Sequence, residues 1–487
     1  MLASNKFRKY LQGALFPVLV FIFIITSCWN HFGTARTAPD TRSHIHAEIL
    51  NPFLTFRTPG YSWYVRIFAD LELLKKKPLK PGETPEPGSE YIKITRVTII
   101  LYALSLSLLA ASLALFIKPW FAAAFVAGAW FLFPGPPPQN ILADQPAFIF
   151  CVLGTACGLT FFAARKIIWL FLLTCCAVIA GLIKPVMIFM SLIAGIICAI
   201  AVIRSLFHKN YRLCAGAFLC GIFLCSGTLA WPLWVSYKAG FFLTSQISAT
   251  HLLMDAIWLL EPKDVVLFEG TEYKPVVEDM IRLKAEMEPE IEKRYFPKGF
   301  SQHSGERRHS LVRNYYGYDL FARRIMRIYS NKLSELRDGS RMGYLKVMNA
   351  ITKPVIKAHR KEYYLAMPRS FLAGFGSAPD FRPDMFGNFP IGIIKNHPVV
   401  ANLCMTGIMA LAPVFGVPAL RAPLLLLLCI HPLDIAFMAI GNHVIYRYVV
   451  VTSWSWALAF FLAVYSLASI LFLKFSNRSF RLGEFSA

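Results

Sequence analysis

Acidic and basic residues stand at or near the ends of apolar segments in this sequence. The acids are Asp40 and Asp144, and the bases are Lys184 and Arg447. A carboxylate can remove the proton of an acceptor hydroxyl, and cations can stabilise a phosphate whose negative charge grows as it departs. If these groups share one side of a membrane, their chemistry suits group transfer from a lipid phosphate.

Each of these four residues also has an ordinary structural explanation. Asp40 can be a solvated loop acid, and Asp144 can be a helix N-cap because a proline follows within the first turn. Lys184 can extend its ammonium to the membrane surface from a tight turn, and Arg447 can anchor the chain at the interface beside tyrosines. A shared functional site explains the four residues better than four separate structural roles only if all four lie on the same side of the membrane.

Composition identifies the class of protein. The chain has 487 residues, of which 56% are hydrophobic and 16% charged, and its mean hydropathy is +0.51. We therefore predict an all-α polytopic membrane protein with about ten transmembrane helices. The predicted spans are 11–29, 97–117, 120–133, 146–163, 167–183, 185–203, 213–236, 398–418, 422–440 and 449–473.

The positive charge of the chain indicates its orientation rather than a nucleic-acid partner. The net charge is +22, and cations in membrane proteins concentrate in cytoplasmic turns and at anionic lipid headgroups. Starting from a cytoplasmic N-terminus, every second turn is basic, and the C-terminal tail is basic too. The first span is expected to be an uncleaved signal anchor, and the outer loops contain no Asn-x-Ser/Thr sequon, which favours a bacterial inner membrane.

Long polar segments fall on the outer side of this arrangement. Residues 1–236 form a transmembrane core whose first outer loop, 30–96, carries Asp40. An interfacial helix is predicted within that loop. Residues 237–397 form a large outer loop with helical periodicity, and 398–487 contain the last spans.

The motifs around these charges resemble those of bacterial GT-C glycosyltransferases, in particular the family 39 or protein-mannosyltransferase-like group. PDTRSHIHAEIL followed by FRTPGY resembles its first-loop acidic motif and arginine–proline–tyrosine element. ILADQPAF resembles its second acidic motif, GLIKP its glycine-to-lysine motif, and YRYVVV its final arginine–tyrosine motif. The order and outward placement of the motifs agree over most of the chain. The sequence departs from the family pattern at His44, where a tyrosine is usual, and at Ser62, where a proline is common.

The resemblance implies an inverting transfer of a sugar from a polyprenyl-phosphate donor to an envelope glycan, lipid or protein. It assigns the catalytic acid to Asp40 and a second acid to Asp144. Some relatives use a divalent cation and others need none, and because the sequence contains no dedicated ligand cluster, we predict no metal or cofactor. The implied phosphate contacts are Lys184, Arg57 and Arg447, and the implied acceptor or neighbouring positions are His44, Tyr61 and His443.

Two other functions fit parts of the sequence. A lipid-linked glycan ligase or polymerase would use arginine and histidine in the large outer loop, where His303 and Arg307 are available. A transporter or flippase would use charges near the middle of the bilayer. Asp434, inside the ninth predicted span, is the residue that supports this third reading.

Overall fold

The computed structural model is helical throughout the part of the chain that it describes. That part comprises residues 2–37, 41, 58–68, 89–133, 135–243, 252–253, 256–257, 259–295, 341–376, 398–440 and 451–475. Within these ranges, the one β-type contact is an isolated parallel bridge between Arg36 and Asn140. The prediction of an all-α protein is thereby confirmed.

Fourteen α-helices are defined within these residues. In chain order they are α1 (Leu2–Ser27), α2 (Gly60–Phe68), α3 (Ser89–Leu113), α4 (Pro119–Leu132), α5 (Asp144–Ala164), α6 (Ile167–Ile183), α7 (Ile188–Phe207), α8 (Tyr211–Ala239), α9 (Lys274–Tyr295), α10 (Arg341–Ala358), α11 (Arg360–Gly376), α12 (Pro398–Phe415), α13 (Arg421–Ile440) and α14 (Ser453–Phe475). Short 3-10 turns cover Trp29–His31, Pro185–Met187, Pro262–Phe268 and Pro418–Leu420.

The apolar helices make this a multi-pass membrane protein. Six described segments are long and apolar enough to cross a bilayer: Tyr91–Leu113, Asp144–Ala164, Pro185–Phe207, Tyr211–Ala239, Pro418–Ile440 and Ser453–Phe472. The other predicted spans overlap shorter apolar helices, which are Gly13–Ser27, Pro119–Leu132, Ile167–Ile183 and Met405–Phe415. Length and composition therefore support six crossings, and the count of ten stays a prediction.

The third helix begins eight positions earlier than the span predicted from 97. Two cations, Lys93 and Arg96, interrupt the apolar pattern and made this stretch look like part of a loop. In the structure the side chains of both cations are exposed, whereas Tyr91 and Ile94 on the same turns are buried. Arg96 donates a hydrogen bond to the Phe32 carbonyl over 3.1 Å, so helix α3 extends beyond its apolar stretch.

The bundle places α5 at its centre and α8 at its edge. Helix α5 packs against α3, α6 and α13, whereas α8 packs against α6 and α7. In the apolar window of α5, 67% of the residues are buried inside the protein, compared with 17% for α8. Among the six long apolar segments, the one that begins at Asp144 has the largest buried fraction, and the Asp144 side chain is buried as well.

A second buried cluster lies beside the main core of the helical bundle. It joins the last turns of α8 to buried residues between Leu243 and Met287 and to helix α10. Helix α11 follows α10 and packs against α12 and α13, which returns the chain to the bundle. The described parts of the large loop are thus mainly helical, while residues 318–336, whose periodicity predicted a helix, lie outside the described residues, as do the rest of 296–340 and 377–397.

Helix α2 is seated directly on the end of α6. The sequence predicts an interfacial helix over 61–77; the described helix runs from Gly60 to Phe68, and 69–77 lie outside the described residues. A Cβ atom at Gly60 would lie 2.6 Å from the carbonyl carbon of Leu182 and 2.7 Å from the amide nitrogen of Ile183. Two backbones meet here at a separation that only glycine permits.

We expect Gly60→Ala to weaken this contact and lower the stability of the folded protein by about 1–3 kcal/mol, since neither backbone can yield as a flexible side chain would. Thermal unfolding of the purified protein in detergent measures the effect. Gly181→Ala is the matched control, because no atom lies within 4 Å of a Cβ at that helical position. It should leave stability unchanged or raise it by about 0.5–1 kcal/mol. Equal melting temperatures for the two variants would contradict the close contact.

Candidate functional site

A buried ion pair connects two of the motifs found in the sequence. The Lys184 ammonium nitrogen lies 2.6 Å from Asp144 Oδ1, and the two side chains are 10% and 3% exposed. Lys184 has extended backbone angles between α6 and the Pro185 turn, because a residue that precedes proline is disfavoured in the helical region. This break directs Lys184 toward the first turn of α5.

Neither residue does what its ordinary explanation predicted. The N-cap of α5 is Ala143, and no side-chain capping hydrogen bond is formed there. Asp144 is instead the first residue of the helix, where the helix dipole favours a negative charge, and its carboxylate accepts a hydrogen bond from Lys184. Lys184 is only 8% exposed, so its ammonium is enclosed by protein.

The first loop, which follows α1, is fastened beside this pair. The Arg36 amide donates to the Gln139 carbonyl over 2.8 Å, and the Ile141 amide donates to the Arg36 carbonyl over 2.8 Å. The Thr41 hydroxyl donates to the Ile141 carbonyl, again over 2.8 Å. Positions 36 and 41 are thus both bonded to the short segment that leads into Asp144.

The segment that leads into Asp144 is itself held at both ends. Gly135 has a φ of +70°, a backbone conformation that favours glycine, and a Cβ there would lie 2.5 Å from the Tyr102 hydroxyl. At the other end, the Gln145 side-chain amide donates to the Pro137 carbonyl over 2.9 Å. The hydrogen bonds from Arg36 and Thr41 therefore attach the first loop to a constrained strip of backbone.

The second part of the first loop reaches the same place from another direction. The Thr58 hydroxyl donates to the Ile183 carbonyl over 3.1 Å, which is the residue before Lys184. Tyr61, one residue into α2, is 1% exposed. Burial raises the pKa of the Tyr61 phenol well above its ordinary value, and the Asp144 carboxylate and two neighbouring tyrosines act in the same direction. Tyr61 is therefore a neutral hydroxyl within the field of the ion pair.

A buried polar group lies on the neighbouring helix α13 and the turn before α14. Thr452 donates a hydrogen bond to Asp434 Oδ2 over 2.6 Å, and its hydroxyl lies 3.0 Å from His431 Nδ1. All three residues are buried, and α13, which carries Asp434, packs against the Pro185–Met187 turn that follows Lys184. The sequence assigned Asp434 to a transporter reading and gave His431 and Thr452 no role. The signal that could have found the group is the spacing of His431 and Asp434, which places both on one face of α13.

Five of the predicted site residues lie outside the described residues: Asp40, His44, Arg57, His443 and Arg447. The same holds for His303 and Arg307 of the alternative reading. Of the predicted set, Asp144, Lys184 and Tyr61 are described. Asp144 and Lys184 form the ion pair, and Tyr61 follows Gly60, whose backbone meets that of Leu182 and Ile183 directly before Lys184.

The described charges here are two buried carboxylates, those of Asp144 and Asp434, and the buried ammonium of Lys184. Within the described ranges, no group of three or more His, Cys, Asp or Glu side chains is placed to hold a metal ion. Of the three predicted phosphate contacts, Lys184 is the one that the structure describes.

Comparison with known proteins adds no relative to this description. No family model matches the chain, and no curated protein matches it.

We expect the Asp144–Lys184 pair to behave as a coupled unit. Asp144→Asn or Lys184→Met alone removes the charge that lies 2.6 Å from its partner, and breaking a buried pair in this way costs about 3–5 kcal/mol. The double variant removes both charges and should lose clearly less stability than the sum of the two single losses. Melting temperatures of the four proteins in detergent complete the cycle, and strictly additive losses would show that the pair is not coupled.

Proposed function

We propose that this protein is an inverting glycosyltransferase of the GT-C type, which moves a sugar from a polyprenyl-phosphate donor to an acceptor outside the cytoplasm. The observation that carries the proposal is the meeting of separate motifs at one end of the bundle. Segments ending at Thr41, Thr58, Asp144 and Lys184 are joined by hydrogen bonds and an ion pair. Motifs that are distant in sequence and meet around buried charges are what an active site requires.

The proposed reaction assigns the general base to Asp40. Its carboxylate takes the proton of the acceptor hydroxyl, and the acceptor oxygen forms a bond to the anomeric carbon. The bond between that carbon and the phosphate oxygen breaks, and polyprenyl phosphate departs with the electron pair. Attack from the side opposite the leaving group inverts the anomeric configuration, and one base suffices for this single displacement.

The cations would act on the phosphate in this reaction. Negative charge on the phosphate increases as the bond to the sugar breaks, and a preorganised cation stabilises that charge most when water is excluded. Lys184 is enclosed and held by Asp144, which favours it for this role, and Arg57 and Arg447 are the further proposed contacts. Asp144 would serve as the second acid, and Tyr61 with His44 and His443 would lie around the acceptor. No cofactor is proposed.

The membrane arrangement proposed with this function has ten crossings and both termini in the cytoplasm. Six long and four shorter apolar helices overlap the ten predicted spans. In that arrangement the Asp144–Lys184 end faces outward, in a bacterial inner membrane, and a lipid-linked donor can present its phosphate at headgroup level. The acceptor would be an envelope glycan, lipid or protein.

We expect Asp40→Asn to reduce transfer by about 10²–10⁴-fold, which is the usual contribution of a positioned general base, while the protein still folds and enters the membrane. Mass spectrometry of envelope glycolipids and glycans, from cells with and without the gene, first identifies the missing sugar. Complementation with variants then measures how much of that sugar returns.

Asp70→Asn is the matched control, since it removes an acid from the same outer loop and should restore the sugar fully. His303→Ala and Arg307→Ala should also restore it. Loss of the product in these two variants, together with normal turnover by Asp40→Asn, would favour a glycan ligase instead. Uptake of an unaltered substrate into vesicles would favour a transporter.

A further inference from the structure

Asp434 is a buried acid inside a helix that is long enough to cross the membrane. Its side chain lies in α13 and is 0% exposed. Helix α13 ends at Ile440, which puts Asp434 about 9 Å along the helix axis from that end. An ionisable residue at such a depth is costly to stability, and its presence usually indicates a function.

The hydrogen bonds of Asp434 have a fixed direction. Thr452 has a single hydroxyl hydrogen, which it donates to Asp434 Oδ2 over 2.6 Å. The contact of 3.0 Å between the Thr452 hydroxyl and His431 Nδ1 must then be donated by the histidine, because the hydroxyl has no second hydrogen. The chain runs from His431 through Thr452 to Asp434 and holds the carboxylate in one orientation.

The second oxygen of the Asp434 carboxylate, Oδ1, is buried and has no hydrogen-bond partner among the described residues. Helix α13, which carries Asp434, packs against α5, which begins at Asp144, and against the Pro185–Met187 turn, which directly follows Lys184. This packing brings the Asp434 carboxylate within electrostatic range of the Lys184 ammonium.

We propose that Asp434 is a positioning residue for Lys184. Asp144 contacts the ammonium directly, and Asp434 attracts it from inside the bundle. A lysine has a flexible four-carbon stem and tends to extend toward water at a membrane surface. Attraction from within opposes that extension, so the ammonium stays where the departing phosphate would need it. This inference rests on the proposed transferase function for its effect on turnover.

A purely structural acid and a positioning acid differ in how they respond to Asp434→Asn. An Asp434 that only stabilises the fold would lower the melting temperature when replaced. A positioning Asp434 is retained at a cost to stability, because its charge is buried without a contacting cation. Asparagine should therefore leave the melting temperature unchanged or higher, while turnover falls.

The first experiment measures kcat and KM for the lipid donor together with the melting temperature. For Asp434→Asn we expect kcat to fall by about 10–100-fold, as for a small misplacement of a catalytic group, with no loss of thermal stability. Thr452→Val should resemble Asp434→Asn because it removes the hydroxyl, and Thr452→Ser should retain turnover because it keeps the hydroxyl. Wild-type turnover in Asp434→Asn or Thr452→Val would overturn the inference.

The second experiment does not depend on any activity. Melting temperatures of Asp434→Asn, Lys184→Met and the double variant test whether the two residues interact, and we expect the double shift to differ from the sum of the single shifts. Asp434→Asn combined with Arg421→Gln, at the opposite end of α13, should be additive. Additive shifts with Lys184→Met would overturn the inference, even if the protein proves to be a transferase. Coupled shifts without transferase activity would contradict only the proposed function.

Discussion

The cost of removing charge from water governs the arrangement at one end of this bundle. Lys184 and Asp144 are enclosed by protein, and either charge alone would be strongly unfavourable there. Their attraction fixes the end of α6 against the beginning of α5. Because the two helices meet through a direct contact between side-chain ends, the first-loop segments that bond to the neighbouring backbone also occupy defined positions.

Backbone groups near this pair provide the attachment points. Helices leave carbonyl groups without partners at their last turn, and loops leave both donors and acceptors. The Ile183 carbonyl accepts from Thr58, and the Ile141 carbonyl accepts from Thr41. Two short hydroxyl side chains thereby fasten two parts of the first loop to two different turns. The acidic and basic groups of the site depend on these neutral contacts for their placement.

The sequence predicted the helical class and the position of most helices, since apolar periodicity and length carry that information directly. It also indicated that Asp144 and Lys184 share one side of the membrane. It did not indicate that they bond to each other, because a helix N-cap and a membrane-surface lysine have the same local sequence signals. The hydrogen bond between Asp434 and Thr452 could not be predicted, for a related reason. Thr452 lies beyond residues 441–450, and a contact between two separate segments leaves no mark in the spacing within either one.

Helix α8 contributes residues to both buried clusters. Its earlier turns include residues of the main bundle core, such as Leu224, and its last turns contribute Trp231, Val235 and Ala239 to the second cluster. Pro232 lies within this helix and has no amide hydrogen to give to the carbonyl one turn earlier. A bend of the helix at Pro232 therefore breaks one backbone hydrogen bond fewer than a bend elsewhere in the helix. A bend of α8 at Pro232 would shift the second cluster relative to the bundle, and Leu182 of α6, which packs against both clusters, would have to move with it.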